Sequence, residues 1–162
     1  MGGVIIAIDI SLRGGDLMAR IEESVEIKRP ADKVFAYMSD PKTWPRWDSG
    51  LLEAEQTSPG QMGIGTTLRG NMKAMGRRMA WTAKVTEYEP NKKWGGAVSF
   101  PSMLLEEHFI FDSIQGGTKL TRVMDVQLGG LLKLFAPMVL SSMRRGSKKS
   151  LSNLKSILEA QT

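Results

Sequence analysis

Six strand-like runs, separated by turns of a few residues and followed by one long amphipathic segment, constrain this chain more than any single motif. The runs are 51–57, 65–75, 78–88, 93–100, 104–112 and 119–128. They are punctuated by Ser-Pro-Gly, Met-Gly, Glu-Pro-Asn, Pro-Ser and Gln-Gly-Gly. Connections this short cannot contain a crossover helix, so neighbouring strands are expected to be antiparallel. An earlier run, 19–28, sets Ile21, Glu23, Val25 and Ile27 against Arg20, Glu22, Ser24, Glu26 and Lys28, the period of a strand with one buried face.

Between that first strand and the meander lie two short helices. Pro30 suits a first helical position, and Val34, Phe35 and Met38 share an apolar side over 31–38. Asp40 can cap a second short helix running through Trp44 and Trp47, with Pro41 in its first turn. After Gly129 and Gly130, the apolar-to-small stripe Leu132, Phe135, Val139, Met143, Ser147, Ser150, Leu151, Leu154 and Leu158 predicts one long helix to about Ala160, distorted early by Pro137. The expected fold class is α+β: a curved antiparallel sheet wrapped around a long C-terminal helix, with two short N-terminal helices.

The chain's 162 residues suit one domain, 19–160. Residues 1–18 are expected to be a flexible extension, with an added edge strand or a partner-binding arm as the alternatives; Val4 to Ile10 is broken by Asp9 and is far too short to span a membrane. It also lacks the basic leader of a secretion signal, and there are no cysteines, which together favour a cytoplasmic protein. The formal charge is +5, but the cations are scattered and join no recognition motif, so no nucleic-acid partner is expected. A basic face at Arg144, Arg145, Lys148 and Lys149 allows weak contact with an anionic membrane surface. Oligomeric state is left open.

Alternation assigns the inward side chains. Trp81, Ala83 and Val85 share one face, as do Phe109 and Phe111, and Leu120, Met124, Val126 and Leu128. Met72, Met75 and Met79 fit adaptable core filling or a flexible wall for an irregular ligand. Two charges break the apolar pattern: Glu107 has the parity of Phe109, and Arg122 that of Leu120 and Met124. They are expected to face inward within reach of each other, as a structural pair or as a polar pole for a ligand. His108 has the opposite parity and no partner for a metal site, and Asp40 and Asp48 are read as turn and cap residues. No phosphate-binding or dinucleotide fingerprint is present, so no cofactor and no metal are expected. No catalytic set is assigned.

In order and content, three passages resemble the polyketide cyclase/dehydrase and lipid-transport family of the START and birch-pollen-allergen-like (SRPBCC) superfamily. They are IKRPADKVFAYMSDPKTWPRW at 27–47, VTEYEP at 85–90 and GGTKLTR at 116–122, leading into the last helix. The resemblance implies a helix-grip fold around a ligand cavity, and members that bind lipids, sterols, polyketides, quinones or plant hormones. It also places Phe35, Trp44 and Trp47 where they help close one cavity end. The candidate cavity therefore comprises these three with Met72, Met79, Trp81, Glu107, Phe109, Phe111, Arg122, Met124, Phe135, Val139 and Met143. The expected function is binding or transport of a small hydrophobic ligand. A cyclase or aromatase, using Glu107 and Arg122 on a carbonyl, and a membrane-surface or protein-partner adaptor are the alternatives.

Overall fold

The computed structural model describes residues 9–161. Eight antiparallel strands form one sheet: β1 (Asp9–Arg13), β2 (Asp16–Ile27), β3 (Leu51–Gln56), β4 (Thr67–Ala74), β5 (Arg77–Glu89), β6 (Lys93–Phe100), β7 (Met103–Ile114) and β8 (Gly117–Leu128). Their spatial order is β1-β2-β8-β7-β6-β5-β4-β3, so the meander from β3 to β8 closes against β2. Between β2 and β3 sit α1 (Ala31–Met38), a 3-10 turn (Pro41–Thr43) and α2 (Trp44–Trp47), and the chain ends in α3 (Ala136–Ala160). This is a helix-grip fold.

The short helices are held by docking. Val34, Phe35 and Met38 of α1 are buried, Asp40 caps the 3-10 turn by accepting the Lys42 amide, and the Trp44 indole Nε1 donates to the Met38 carbonyl at 2.7 Å. The sheet's hairpins are equally specified. At the β4–β5 turn both Met75 and Gly76 adopt positive φ, the pattern of a two-residue turn matched to strand twist. Met75 is therefore exposed at the tip and forms no part of an inner wall.

Two expectations change. Residues 9–13 pair with 16–20 as an edge strand, where a flexible extension is expected from 1–18; β2 itself begins at Asp16. Residues 1–8 of that expected extension fall outside the described residues. The stripe read as one helix from Leu132 is divided into a 3-10 segment (Gly130–Phe135) and α3, with Pro137 tolerated in the first turn of α3 instead of bending its interior. A 3-10 turn advances three residues per turn, so the 3.6-residue register extrapolated backwards from Val139 fails at Phe135.

Inward side chains form two apolar clusters. One joins Phe35, Met38, Trp44, Trp47, Phe109, Phe111 and Leu120 to Leu151, Leu154 and Leu158 on the C-terminal half of α3. The other joins Ile21, Leu105, Met124, Val126 and Leu128 to Ala136, Val139 and Leu140 on its N-terminal half. Small residues at the middle of α3, Ser147 and Ser150, are fully enclosed and let the helix approach β2 and α2.

Trp81 owes its position to Gly70, its cross-strand partner. A Cβ at residue 70 would fall 2.1 Å from the Glu53 carbonyl oxygen and 2.4 Å from the Trp81 ring. Backbone cannot move aside as a flexible side chain can. Gly70→Ala is accordingly expected to lower the unfolding free energy by about 1–3 kcal/mol, measured by urea denaturation; an unchanged midpoint would contradict this packing.

Candidate functional site: a charged layer inside the grip

Arg122 lies at the centre of the concave face. Register sets it opposite Phe109 on β7 and Glu23 on β2, and sets Glu107 opposite Met124, one inward position along. The β7–β8 hairpin thus places Glu107 diagonally from Arg122, and the guanidinium Nη2 donates to Glu107 Oε2 at 3.0 Å. On its other side Nη1 and Nη2 face both carboxylate oxygens of Asp48, each at 3.4 Å. The guanidinium carbon also lies 5.4 Å from the Phe109 ring centroid, within cation–π range.

Asp48 ends α2, and α3 fixes it there. The Ser150 hydroxyl donates to Asp48 Oδ1 at 2.9 Å and accepts the Ser49 amide at 2.8 Å. A residue read as a turn and cap acid is thus the second anion of the buried pair, recruited by a helix over a hundred positions away in sequence. Glu23 adds a third carboxylate, 5% exposed, whose Oε1 has Arg144 Nε at 3.7 Å and no hydrogen-bond partner. Ser147 Oγ and Arg122 Nε are likewise enclosed without a partner.

The layer therefore holds three carboxylates against two guanidinium groups. Burial pushes the Glu107 carboxyl above its ordinary range; the attraction of Arg122 opposes this, and repulsion from Asp48 adds to the upward shift. For Arg122, burial acts downward but the flanking Asp48 and Glu107 outweigh it, so it stays protonated. Chemically, the arrangement offers a guanidinium donor and carboxyl oxygens at a point otherwise walled by rings. Among the described residues, no three carboxylate or histidine side chains converge closely enough to ligate a metal ion.

Around this layer stand the aromatic groups. Trp94 stacks on Phe109 with centroids 5.2 Å apart and planes at 15°, Trp47 meets Phe109 edge-on at 6.1 Å, and Phe35 meets Phe111 edge-on at 5.1 Å. Trp44 packs against Trp94 at 5.1 Å. Trp94 is the residue sequence reasoning missed, because Lys-Trp-Gly-Gly offers no alternation from which to choose a face. Gly96, the register neighbour of Glu107, lies close against β5, where a Cβ would fall 2.6 Å from the Lys84 carbonyl oxygen.

Of the remaining candidates, Trp81, Met124 and Val139 are buried, whereas Met72, Met79 and Met143 are only partly so. Met72 and Met79 pair across β4 and β5, and Phe100, Met103 and Met143 pack against the N-terminal cluster. Phe135 does not join them; it is 52% exposed on the 3-10 segment. His108 faces outward and meets Glu87 at 3.0 Å. An open cleft of about 1120 Å3 lies at the opposite end of the sheet, between Lys28–Asp32, Glu89–Lys93 and Ile110–Gly117, and touches only Phe111 of the candidate set. A smaller cleft of about 280 Å3 opens between β2 and α3 at Glu23, Val25, Lys148 and Leu151.

Comparison with known proteins follows this geometry. Uncharacterised protein Rv2574 of Mycobacterium tuberculosis is 27% identical over 134 residues, covering 75% of this chain and 76% of that protein. Among solved structures, TTHA0849 from Thermus thermophilus aligns with a TM-score of 0.76 at 16% identity, over 88% of this chain and 99% of that one. The Zhui aromatase/cyclase from Streptomyces sp. R1128 aligns with a TM-score of 0.75 at 17% identity, over 88% and 94%. These likenesses establish the fold. Residues 18–159, from within β2 to the last turn of α3, match the family described as polyketide cyclase/dehydrase and lipid transport, and the chain belongs to that family.

Proposed function

We propose that this protein binds a small, largely apolar molecule carrying at least one polar oxygen, held on the concave face between α3 and strands β4 to β7. The observation that carries the reading is the pairing of a buried, incompletely satisfied charge layer with an inner wall that α3 does not fully cover. Met72, Met79, Val98, Phe100 and Met143 face inward yet remain partly exposed, while Arg122 Nε and the indole Nε1 groups of Trp47, Trp81 and Trp94 are enclosed without acceptors. Buried donors of this kind are costly unless a partner arrives. A ligand oxygen directed at Arg122 and Glu107, with its apolar body against the methionines, supplies that partner. Family membership supports the same class of ligand.

Native mass spectrometry of the purified protein, followed by organic extraction, is expected to show bound apolar material or its uptake from a lipid and polyketide-like panel. Glu107→Gln is expected to change which compounds are retained more than how much is retained. A chain that acquires no compound from the panel, with its tryptophan fluorescence unmoved, would overturn the reading.

The raised Glu107 carboxyl favours one further version, a cyclase-like enzyme. A protonated Glu107 beside Arg122 can donate to a substrate carbonyl and stabilise enolate charge as it develops. Turnover of a carbonyl substrate that survives both Glu107→Gln and Arg122→Gln would remove these residues from any such reaction.

A further inference from the structure

The exposed apolar surface is concentrated at one end of the molecule. Leu131, Leu134, Phe135 and Met138 are 77%, 75%, 52% and 49% exposed on the 3-10 segment and first turn of α3, and Ile10 and Leu12 are 56% and 75% exposed on β1. Residues three apart eclipse in a 3-10 helix, so Leu131 and Leu134 stand together. Register brings β1 beside them. Leu12 pairs with Leu17, which pairs with Leu128 at the end of β8, and Lys133 Nζ donates to the Gly15 carbonyl in the β1–β2 turn. Two elements far apart in sequence thus present one apolar tip.

Cations adjoin this tip on the same helix. Arg145 follows Met138 by seven residues, two turns along the exposed side of α3, and Lys148 and Lys149 follow it by three and four. At 1.5 Å per residue, these charges begin about 10 Å from Met138 and end about 16 Å from it. Residues 130–158 contain no Asp or Glu. Arg144 is engaged by Glu23, whereas Arg145, Lys148 and Lys149 make no ion pair among the described residues. Glu23 borders the same cleft as Lys148 but is 5% exposed, and on the hairpin Asp16 is held by Gln127.

From this arrangement we infer that the β1/3-10 end of the protein is a peripheral docking surface for anionic phospholipid bilayers. The apolar tip enters the boundary between headgroups and acyl chains, and Arg145, Lys148 and Lys149 meet the lipid phosphates. Charge complementarity selects this occupant, because a buried apolar contact with another protein does not call for a row of unneutralised cations beside it. A few apolar side chains bind a bilayer only marginally, and adding surface cations makes the attachment stable but reversible. Among the described residues no helix is long and apolar enough to cross a membrane, so the contact is one of surface insertion. Partly exposed Phe100 and Met103 lie at this same end of the sheet, since Met103 pairs with Leu128. A membrane there would face the near side of the proposed ligand face.

Vesicle co-sedimentation of the full chain tests the inference, comparing phosphatidylcholine with an equimolar mixture of phosphatidylcholine and phosphatidylglycerol. Binding is expected to the anionic vesicles and to weaken as salt is raised. Combining Arg145→Ser, Lys148→Ser and Lys149→Ser is expected to lower the partition coefficient about a hundredfold, and combining Leu131→Asp with Leu134→Asp at least about tenfold. All five positions are exposed, and circular dichroism should show both variants folded. The inference is overturned if the folded parent chain ignores anionic vesicles, or if both variants bind as well as the parent. It is also overturned if the apolar variant abolishes self-association in a chain that binds no vesicle, which would assign the tip to a second copy. Retention of extracted ligand by the same variants reports separately on the concave site.

Discussion

Replacing Arg122 by leucine is expected to lower the unfolding free energy by about 3–5 kcal/mol at neutral pH, because it leaves buried carboxylates without their cation. Asp48 and Glu107 both face the guanidinium, and Glu23 is enclosed directly across the β2–β8 pair. The loss should depend on pH in a defined sense. Glu107 already has a raised folded-state pKa, and removing Arg122 raises it further. Between the ordinary carboxylate value and that raised value the folded chain binds more protons than the unfolded chain, so stability falls as pH rises through the window. The gap between variant and parent is therefore smallest in acid and widens towards neutrality. Glu107→Gln should cost far less, within about 1 kcal/mol, since it removes a charge that burial disfavours and leaves Arg122 with Asp48. Urea denaturation of the three proteins across pH checks both statements; a pH-independent gap for Arg122→Leu would exclude carboxylate protonation as its origin.

Phe109→Ala is expected to cost a further large amount on its own, about 3–5 kcal/mol. Its ring is 1% exposed, stacked under Trp94, met edge-on by Trp47 and overlain by the Arg122 guanidinium. Truncation empties the junction between sheet, α2 and the charged layer, and the near-ultraviolet circular dichroism of the two indoles should collapse with it. Phe135→Ala supplies the contrast. Both phenylalanines read from the sequence as inward, yet Phe135 is exposed, and its truncation should change stability by less than about 0.5 kcal/mol. Equal losses at the two positions would mean that Phe135 is packed after all.

The contrast between these two residues also shows what the sequence could convey. Strand parity carried Phe109, Glu107 and Arg122 to the correct face because short hairpins keep register, and Gln-Gly-Gly fixed the Glu107–Arg122 diagonal. Glu23 was legible in the same way, as the charged member of an apolar face on β2. Asp48 was not, since its role comes from Ser150 on α3 and no local pattern encodes a contact of that range. Phe135 failed for a different reason: helical periodicity continued backwards through a segment whose turns contain three residues. The edge strand at 9–13 was legible only as an alternative to a flexible extension, because its residues are exposed and carry no pattern of burial to read.

The link from Ser49 through Ser150 to Asp48 has a mechanical consequence. It fastens α3 near its middle, with Leu151, Leu154 and Leu158 clamped in the aromatic cluster beyond it. Sliding the helix along its axis by one turn, about 5.4 Å, would break this fastening and strand Asp48 and Arg122 together. The N-terminal half of the helix is seated separately, by Ala136, Val139 and Leu140 in the smaller cluster. The helix is thus anchored at three places, two apolar and one polar between them, and the polar one sets its axial register.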